Sequence, residues 1–172
     1  VIMKRKLYTW VWNSGGLGDG STISNVPVHI KLPSRPLQVS CSDSHTAVIT
    51  ETGLYVWGKN SIGELGDGTY EDSNVLVLIE LPSQPLQVVY GIRKTAIITD
   101  KGLYVWGQDS LQTHTNRPKR LELPSKPLQI AYGLKHTAVI TEKGLYTWGD
   151  NSHGQLGNGT NKKSNKPVKV LK

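Results

Sequence analysis

The sequence of 172 residues contains no phenylalanine, one methionine and one cysteine, Cys41. A single cysteine excludes a disulfide within the chain and any zinc site built from several thiolates. No apolar run approaches the roughly 20 residues that a membrane helix needs, so we expect no membrane span. Residues 1–6 lack the long apolar stretch of a secretory signal. The compartment stays open, with an intracellular location, cytoplasm or nucleus, favoured over an oxidising one.

Acidic residues are missing from the end of the chain, because none follows Asp150. Five of the 20 basic residues lie there, namely Lys162, Lys163, Lys166, Lys169 and Lys172. Residues 1–161 carry 15 basic against 13 acidic groups, a net +2 within the formal charge of +7. A protein that binds phosphate backbones is basic over a broad surface. The pattern indicates solvated lysines, so nucleic acid is the partner we expect least.

What the sequence does contain is an internal repeat. Leu-Tyr-x-Trp begins at Leu7, Leu54, Leu103 and Leu145. Leu-Pro-Ser-x-Pro-Leu-Gln occupies Leu32–Gln38, Leu81–Gln87 and Leu123–Gln129. Asn-Ser followed by a glycine-rich stretch occurs at Asn13–Gly20, Asn60–Gly68 and Asn151–Gly159. In the third copy a stretch without glycine, Gln108–Asn116, stands in its place.

Each repeat unit predicts four short β-strands. In one copy these are the apolar runs His45–Thr50, Leu54–Trp57, Val75–Ile79 and Pro85–Tyr90. No window has sustained helical spacing of apolar residues. Four strands in roughly 47 residues are typical of a β-propeller blade. We therefore expect positive φ at the hairpin glycines and packing between blades for the recurring tryptophans: Gly53, Gly102, Gly144, Trp57, Trp106 and Trp148.

The segment Tyr132–Gly159 closely resembles the regulator of chromosome condensation (RCC1) repeat. It has both halves of that repeat, Gly-x-x-His-Thr at Gly133–Thr137 and Trp-Gly-x-Asn-x-x-Gly-Gln-Leu-Gly-x-Gly at Trp148–Gly159. The resemblance covers essentially the whole chain and implies an all-β, seven-bladed propeller of four-stranded blades. Three departures are Ser42 in place of a glycine, Lys94 in place of a histidine, and the third glycine loop.

The two ends of the sequence match each other, because Val1–Trp10 aligns with Val139–Trp148. The repeat units are then 1–47, 48–96 and 97–138, with an incomplete unit at 139–172, about three and a half blades of the seven. Three arrangements stay open. We favour a segment of a longer chain over half of a ring completed by a second copy, and over an open stack.

Residues for classical catalysis are not recognisable in the sequence. His45 and His136 occupy equivalent repeat positions, which indicates a structural role. His29, His114 and His153 lack the spacing to acids that is typical of a metal site. We therefore expect no classical enzyme, no metal and no cofactor.

The resemblance implies a protein-binding function. In the family's founding member, one face promotes guanine-nucleotide exchange on a small GTPase and uses an acidic residue in a Gly-Asp-Ser-His-Thr copy. Ser42–Thr46 matches that copy at four of five positions, which makes Asp43 the candidate contact residue. The other residues predicted to bind a partner are Ser44, His45, Arg93, Lys94, Lys135 and His136.

Three alternatives stand beside this hypothesis. Asp43 is also a residue type that exposed turns favour for local backbone bonding. The resemblance equally implies a scaffold or binding module without exchange activity, as in ubiquitin-ligase-associated, inhibitor-like or chromatin-associated propellers. A third hypothesis, contact with nucleic acid, rests on Lys162–Lys172 and on Lys4–Lys6.

Overall fold

The structure is a computed structural model in which residues 1–12, 16–108 and 114–171 are described. Residues 13–15, at the start of the glycine-rich stretch Asn13–Gly20, lie outside these ranges. Residues 109–113, which form most of Gln108–Asn116, and Lys172 lie outside them as well. Within these ranges the chain forms strands and turns without a helix, and therefore no helix that could span a membrane. The expected all-β architecture is confirmed.

The described strands form four antiparallel sheets. Sheet 1 contains β1 (Ile2–Met3), β2 (Lys6–Trp12) and β3 (Ile23–Ile30). Sheet 2 contains β4 (Pro36–Cys41), β5 (His45–Thr50), β6 (Gly53–Gly58) and β7 (Ser73–Ile79). Sheet 3 contains β8 (Pro85–Gly91), β9 (Lys94–Thr99), β10 (Gly102–Gln108) and β11 (His114–Leu121). Sheet 4 contains β12 (Pro127–Tyr132), β13 (His136–Thr141), β14 (Gly144–Gly149) and β15 (Ser164–Lys169).

Each four-stranded sheet follows chain order from an inner to an outer strand. Neighbouring sheets contact each other mainly through β4, β8 and β12, which are the inner strands. The outer strands β3, β7, β11 and β15 each lie at the far edge of a sheet. Four-stranded sheets arranged around their first strands are blades of a propeller, as expected.

The sheets are offset from the repeat units read in the sequence. The boundaries between units, after residues 47, 96 and 138, fall inside β5, β9 and β13. A unit therefore begins within the second strand of one sheet and ends within the second strand of the next. Two consecutive units share each of sheets 2, 3 and 4, whereas sheet 1 lies within the first unit.

Apolar side chains fill the space between neighbouring sheets. Between sheets 2 and 3 the cluster includes Ile49 and Leu54 from one side and Val88, Ile97 and Trp106 from the other. Trp106 is only 2% exposed, and Trp57, at the sheet 1–sheet 2 interface, is 1% exposed. The predicted packing of these tryptophans between blades is confirmed, and Trp148 packs half-buried against a third cluster.

The glycine-rich loop of one sheet covers the tryptophan of the next. Gly66, between β6 and β7, has φ +78°, and a Cβ there would lie 2.5 Å from Trp106 Nε1. Because the backbone approaches the indole so closely, this position requires glycine for space as well as conformation. Gly53, Gly102 and Gly144 have φ of +147°, +131° and +121°, so their predicted positive φ is confirmed.

Candidate partner-binding site

The residues predicted to bind a partner lie on three equivalent turns. Each turn joins an inner strand to the second strand of the same sheet. The turns comprise Ser42–His45, Gly91–Lys94 and Gly133–His136, and we call them together the turn row. Since the sheets are arranged side by side, the three turns lie at the same end of the strands.

The third strand of each sheet holds the turn in place. Lys59 N donates to Ser44 O at 2.9 Å, Gln108 N to Arg93 O at 2.8 Å, and Asp150 N to Lys135 O at 2.9 Å. A glycine precedes each donor, and a Cβ at Gly58 would overlap Ser44 O. The third strand therefore holds the turn backbone, and in Ser42–His45 the Ser42 Oγ also accepts hydrogen bonds from Ser44 N and His45 N at 3.3 Å.

The turn row also connects one sheet to the next. The His45 ring stands edge-on against Tyr90, with ring centroids 4.1 Å apart and an interplanar angle of 72°. Lys94 Nζ lies 4.3 Å from the centroid of Tyr132, a cation–π contact. Tyr90 and Tyr132 lie at the ends of the inner strands β8 and β12, so each turn packs against the following sheet.

Ser42 stands where the RCC1 repeat has a glycine, and its side chain contacts the histidine of the same turn. Its Oγ lies 2.6 Å from His45 Nδ1 and so orients the imidazole. In the sheet 4 copy the glycine is present, and a Cβ at Gly133 would overlap the His136 ring. The histidine therefore lies over a glycine in one copy and hydrogen-bonds a serine in the other.

Burial controls the charge of the groups below the turn row. His45 is 4% exposed, and desolvation lowers its pKa from 6.5 to about 4, so the ring is neutral near pH 7. Desolvation also lowers the pKa of Lys94 and raises the pKa of Tyr132. Among the described residues, His45 Nε2 and Tyr90 Oη are buried without a hydrogen-bond partner.

The exposed part of the turn row consists of charged side chains. Asp43, Arg93 and Lys135 are exposed, one acid followed by two bases from sheet to sheet. Ser44, Lys94 and His136 are half-buried. His45 is buried, in keeping with the structural role that its repeat position indicated. The assignment of these seven residues to a partner stays a prediction.

The sequence analysis missed the two tyrosines that pair with the turns. Tyr90 and Tyr132 occupy the same repeat position, three residues after the glutamine of Leu-Pro-Ser-x-Pro-Leu-Gln, where the first copy has Cys41. That recurrence was the available signal. Within the described ranges, no group of three or more His, Cys, Asp or Glu residues could hold a metal ion.

Family models agree with the repeat and with the fold. Two models, both described as the regulator of chromosome condensation (RCC1) repeat, match residues 6–49 and 144–172, and residues 37–63 and 128–155. Together they cover more than half of the chain. The molecule is an RCC1-type propeller chain, and it belongs to the RCC1 repeat family.

Known proteins are similar to this chain in sequence or in fold. The Ultraviolet-B receptor UVR8 of Arabidopsis thaliana is 38% identical over 72 residues, 39% of this chain and 16% of the receptor. Human WBSCR16 superposes with a TM-score of 0.81 at 22% identity, over 98% of this chain and 49% of that one. Prp20p of Saccharomyces cerevisiae, described with its binding properties to Gsp1p and histones, has a TM-score of 0.71 at 20% identity, over 96% and 47%. The chain thus spans about half the length of these two solved structures.

Proposed function

We propose that this chain is part of a protein-binding propeller that contacts a small GTPase through the turn row and promotes guanine-nucleotide exchange. The observation that carries the proposal is the exposure of Asp43, Arg93 and Lys135 on turns fixed from below. Charged side chains on a rigid backbone suit recognition, because little conformational entropy is lost on binding. The founding member of the family uses an acidic residue at the position of Asp43.

Exchange requires no covalent step. A partner that binds the nucleotide-free GTPase more tightly than the nucleotide-bound form shifts the equilibrium by that difference in affinity. Asp43 would contact the GTPase surface, and the buried His45–Tyr90 pair would keep its turn in place. Arg93 and Lys135 would contact acidic groups of the same partner.

The test compares nucleotide release by the wild-type chain and by Asp43→Ala. A small GTPase loaded with a fluorescent GDP is mixed with each protein, and the release rate is measured. Asp100→Ala is the matched control, because Asp100 is an exposed acid on the β9–β10 hairpin at the other end of the strands. We expect Asp43→Ala alone to reduce release at least tenfold. Equal release by all three proteins would remove Asp43 from the mechanism.

The second candidate is a binding module without exchange activity. It is favoured by the mixed charge of the turn row, since Arg93 and Lys135 are basic where Asp43 is acidic. Gsp1p and histones, for which binding by the yeast relative was described, are the first probes. Selective capture of the nucleotide-free form of a GTPase supports exchange, whereas capture that ignores the nucleotide supports the binding module.

Completion of the ring by a second copy or by further chain is a separate expectation. Molar mass from light scattering measures it directly. A mass twice that of the 18.9 kDa chain indicates a pair of copies. A mass equal to that of one chain indicates that the chain does not pair with a second copy.

A further inference from the structure

A groove lies between sheet 3 and the start of sheet 4, at the end of the strands that carries the β9–β10 hairpin. This end is opposite the turn row. The groove has a volume of about 350 Å³, at the small end of the range for ligand cavities in proteins. We call it the sheet 3–4 groove. Its lining combines two leucines with three bases and one acid, namely Leu121, Leu123, Lys101, Arg120, Lys126 and Asp100.

The three basic positions of this groove are neutral between sheets 2 and 3. By repeat position and strand register, Lys101, Arg120 and Lys126 correspond to Thr52, Leu78 and Gln84. Each of the three differences adds a positive charge. Because sheets 2 and 3 pack together with neutral residues at these positions, packing between blades does not require the bases. Charges that packing does not require point to a ligand.

The bases of the sheet 3–4 groove are only weakly neutralised by the chain itself. Within the part of the chain that the structure describes, Lys126 has no acid at ion-pair distance. Arg120 Nε lies 3.7 Å from Glu122 Oε1, and a pair as exposed as this one contributes little. Lys101 Nζ donates to Pro82 O at 3.0 Å, which occupies one of its three donors.

The groove between sheets 1 and 2 differs at the base that precedes the inner strand. It has Arg5, His29 and Arg35 at the three positions. Arg35 Nε is paired with Glu51 Oε1 at 3.4 Å. Arg35 stands where the sheet 3–4 groove has Lys126. The ion pair with Glu51 therefore satisfies, within the chain, the base that is left for a ligand in the sheet 3–4 groove.

The outer strands beside the groove add to its positive potential. Arg117, Lys119 and Arg120 are exposed on β11, which contains no acid. β15 adds the exposed Lys166 and Lys169, whereas β7 has no charged residue. Charges of one sign on a surface attract an oppositely charged partner over about 10 Å at moderate salt. The partner of this groove is therefore anionic.

We propose that the sheet 3–4 groove binds an acidic segment of another protein. An apolar side chain of that segment packs on Leu121 and Leu123, which are half-buried against the core between sheets 3 and 4. Carboxylates on either side of it bind Arg120 and Lys126, the arginine through two parallel N–H groups and the lysine as a point charge. A sugar–phosphate backbone fits less well, because it has no apolar side chain to bury on the leucines.

The test uses a synthetic peptide with one leucine between two pairs of glutamates, labelled for fluorescence anisotropy. We expect saturable binding that weakens as salt is added, because the charges of the rim are partly exposed and are screened. A peptide with glutamine in place of glutamate and one with serine in place of leucine should each bind at least fivefold more weakly. Hydrogen exchange of residues 121–126 should become slower when the first peptide is bound.

The variant Arg120→Leu/Lys126→Gln copies the residues found at these positions between sheets 2 and 3, so the fold tolerates them. It should weaken peptide binding roughly tenfold, since it removes two charge-assisted contacts, while circular dichroism stays unchanged. The matched control is Lys162→Gln/Lys163→Gln, which removes two exposed bases just before β15, at the turn-row end of the strands. The control should leave peptide binding within twofold of the wild-type value.

Three outcomes would overturn the proposal. The first is absence of saturable peptide binding, or equal binding by the wild-type chain and by Arg120→Leu/Lys126→Gln. The second is slower exchange around Arg35 instead of residues 121–126, which would assign the peptide to the groove between sheets 1 and 2. The third is tighter binding of a single-stranded oligonucleotide than of the peptide, which would make the surface a general polyanion site. None of these outcomes bears on nucleotide release, so the exchange hypothesis is tested separately.

Discussion

The sheet 2–sheet 3 interface and the sheet 3–sheet 4 interface use the same repeat positions, but the second has fewer of the contacts found in the first. In the former, Gln38 makes two hydrogen bonds to the backbone of Val88, at 3.0 and 3.1 Å. In the latter, Gln87 accepts a hydrogen bond from Ile130 N at 3.2 Å. Trp106 is covered by a glycine-rich loop, whereas Trp148 is half-buried and the preceding unit has no such loop in its sequence.

This difference teaches that the contacts between sheets are separable. Sheets 3 and 4 still share an apolar cluster that includes Ile98, Leu103 and Val139. Repeat proteins have stabilities that are approximately sums over units and their interfaces. A unit can therefore lose one contact with its neighbour and still pack against it. The loop, the glutamine and the turn–tyrosine contact can therefore be perturbed one at a time.

The tryptophans should give the largest difference between the two interfaces. Trp106→Ala removes a buried indole and its Nε1 hydrogen bond to Glu64 O at 2.8 Å, and it should lower the free energy of unfolding by about 4 kcal/mol. Trp148→Ala should cost roughly half as much, because that side chain is half-buried. Urea denaturation followed by circular dichroism measures both. Equal losses would mean that the loop adds nothing to the interface.

The pH dependence of stability should come from sheet 2 and not from sheet 3. The pKa of His45 is about 4 in the folded chain and about 6.5 when unfolded, so the unfolded state binds a proton first as pH falls. The stabilising contribution is complete above pH 6.5 and is lost between pH 6.5 and 4, by about 3 kcal/mol. Lys94 occupies the equivalent position in sheet 3, so that turn has no histidine.

Urea denaturation at pH 4.5 and pH 7 compares the wild-type chain with His45→Gln. The variant should show a smaller decrease in the free energy of unfolding at the lower pH, because the proton uptake of His45 in the unfolded chain is then removed. His136→Gln changes the equivalent histidine of sheet 4, which is half-buried, and serves as the control. An unchanged slope in His45→Gln would assign the pH dependence to other groups.

Glycine substitutions should separate close approach from backbone conformation. Gly66 and Gly154 have nearly equal φ, +78° and +76°, but a Cβ on Gly154 would meet nothing nearer than 3.6 Å. Gly66→Ala should therefore cost about 2 kcal/mol more than Gly154→Ala, since it also displaces Trp106. Thermal unfolding of both variants provides the comparison. A smaller cost at Gly66 would show that the loop can move away from the indole.

The inner-strand glutamines should give the smallest difference. Gln38→Ala removes two hydrogen bonds to Val88, and Gln87→Ala removes the one from Ile130 N. At about 1 kcal/mol for each bond, the first substitution should cost about 1 kcal/mol more than the second. Denaturant midpoints of the two variants measure this. A larger effect of Gln87→Ala would place the stronger interface between sheets 3 and 4.

The sequence was sufficient for the architecture, because the repeat specifies strands, hairpins and glycine positions locally. It was not sufficient for contacts between sheets. His45 meets Tyr90, and Gln38 meets Val88, across separations that only the arrangement of the blades determines. The repeat position of His45 indicated a structural role, but neither its burial nor the identity of its partner, since the equivalent His136 is half-buried.

The same limit applies to the outer strands. Arg120 and Leu78 occupy equivalent positions in an alignment, but only the structure shows that Arg120 lines a groove together with Lys126. The exposure of Asp43 and Lys135 also required the structure, since turn residues of the same row range from buried to exposed. Residue type predicted the turn, and packing decided which side chains reach the surface.

The offset between repeat units and sheets has a consequence for how such a protein can change in length. A deletion of residues 48–96 would join Ala47 to Ile97, the residue that follows the equivalent alanine, Ala96. The joined strand would begin as β5 and end as β9, with β4 on one side and β10 on the other. Gene segments of one unit can therefore be duplicated or lost within the protein while each sheet at the junction keeps its four strands.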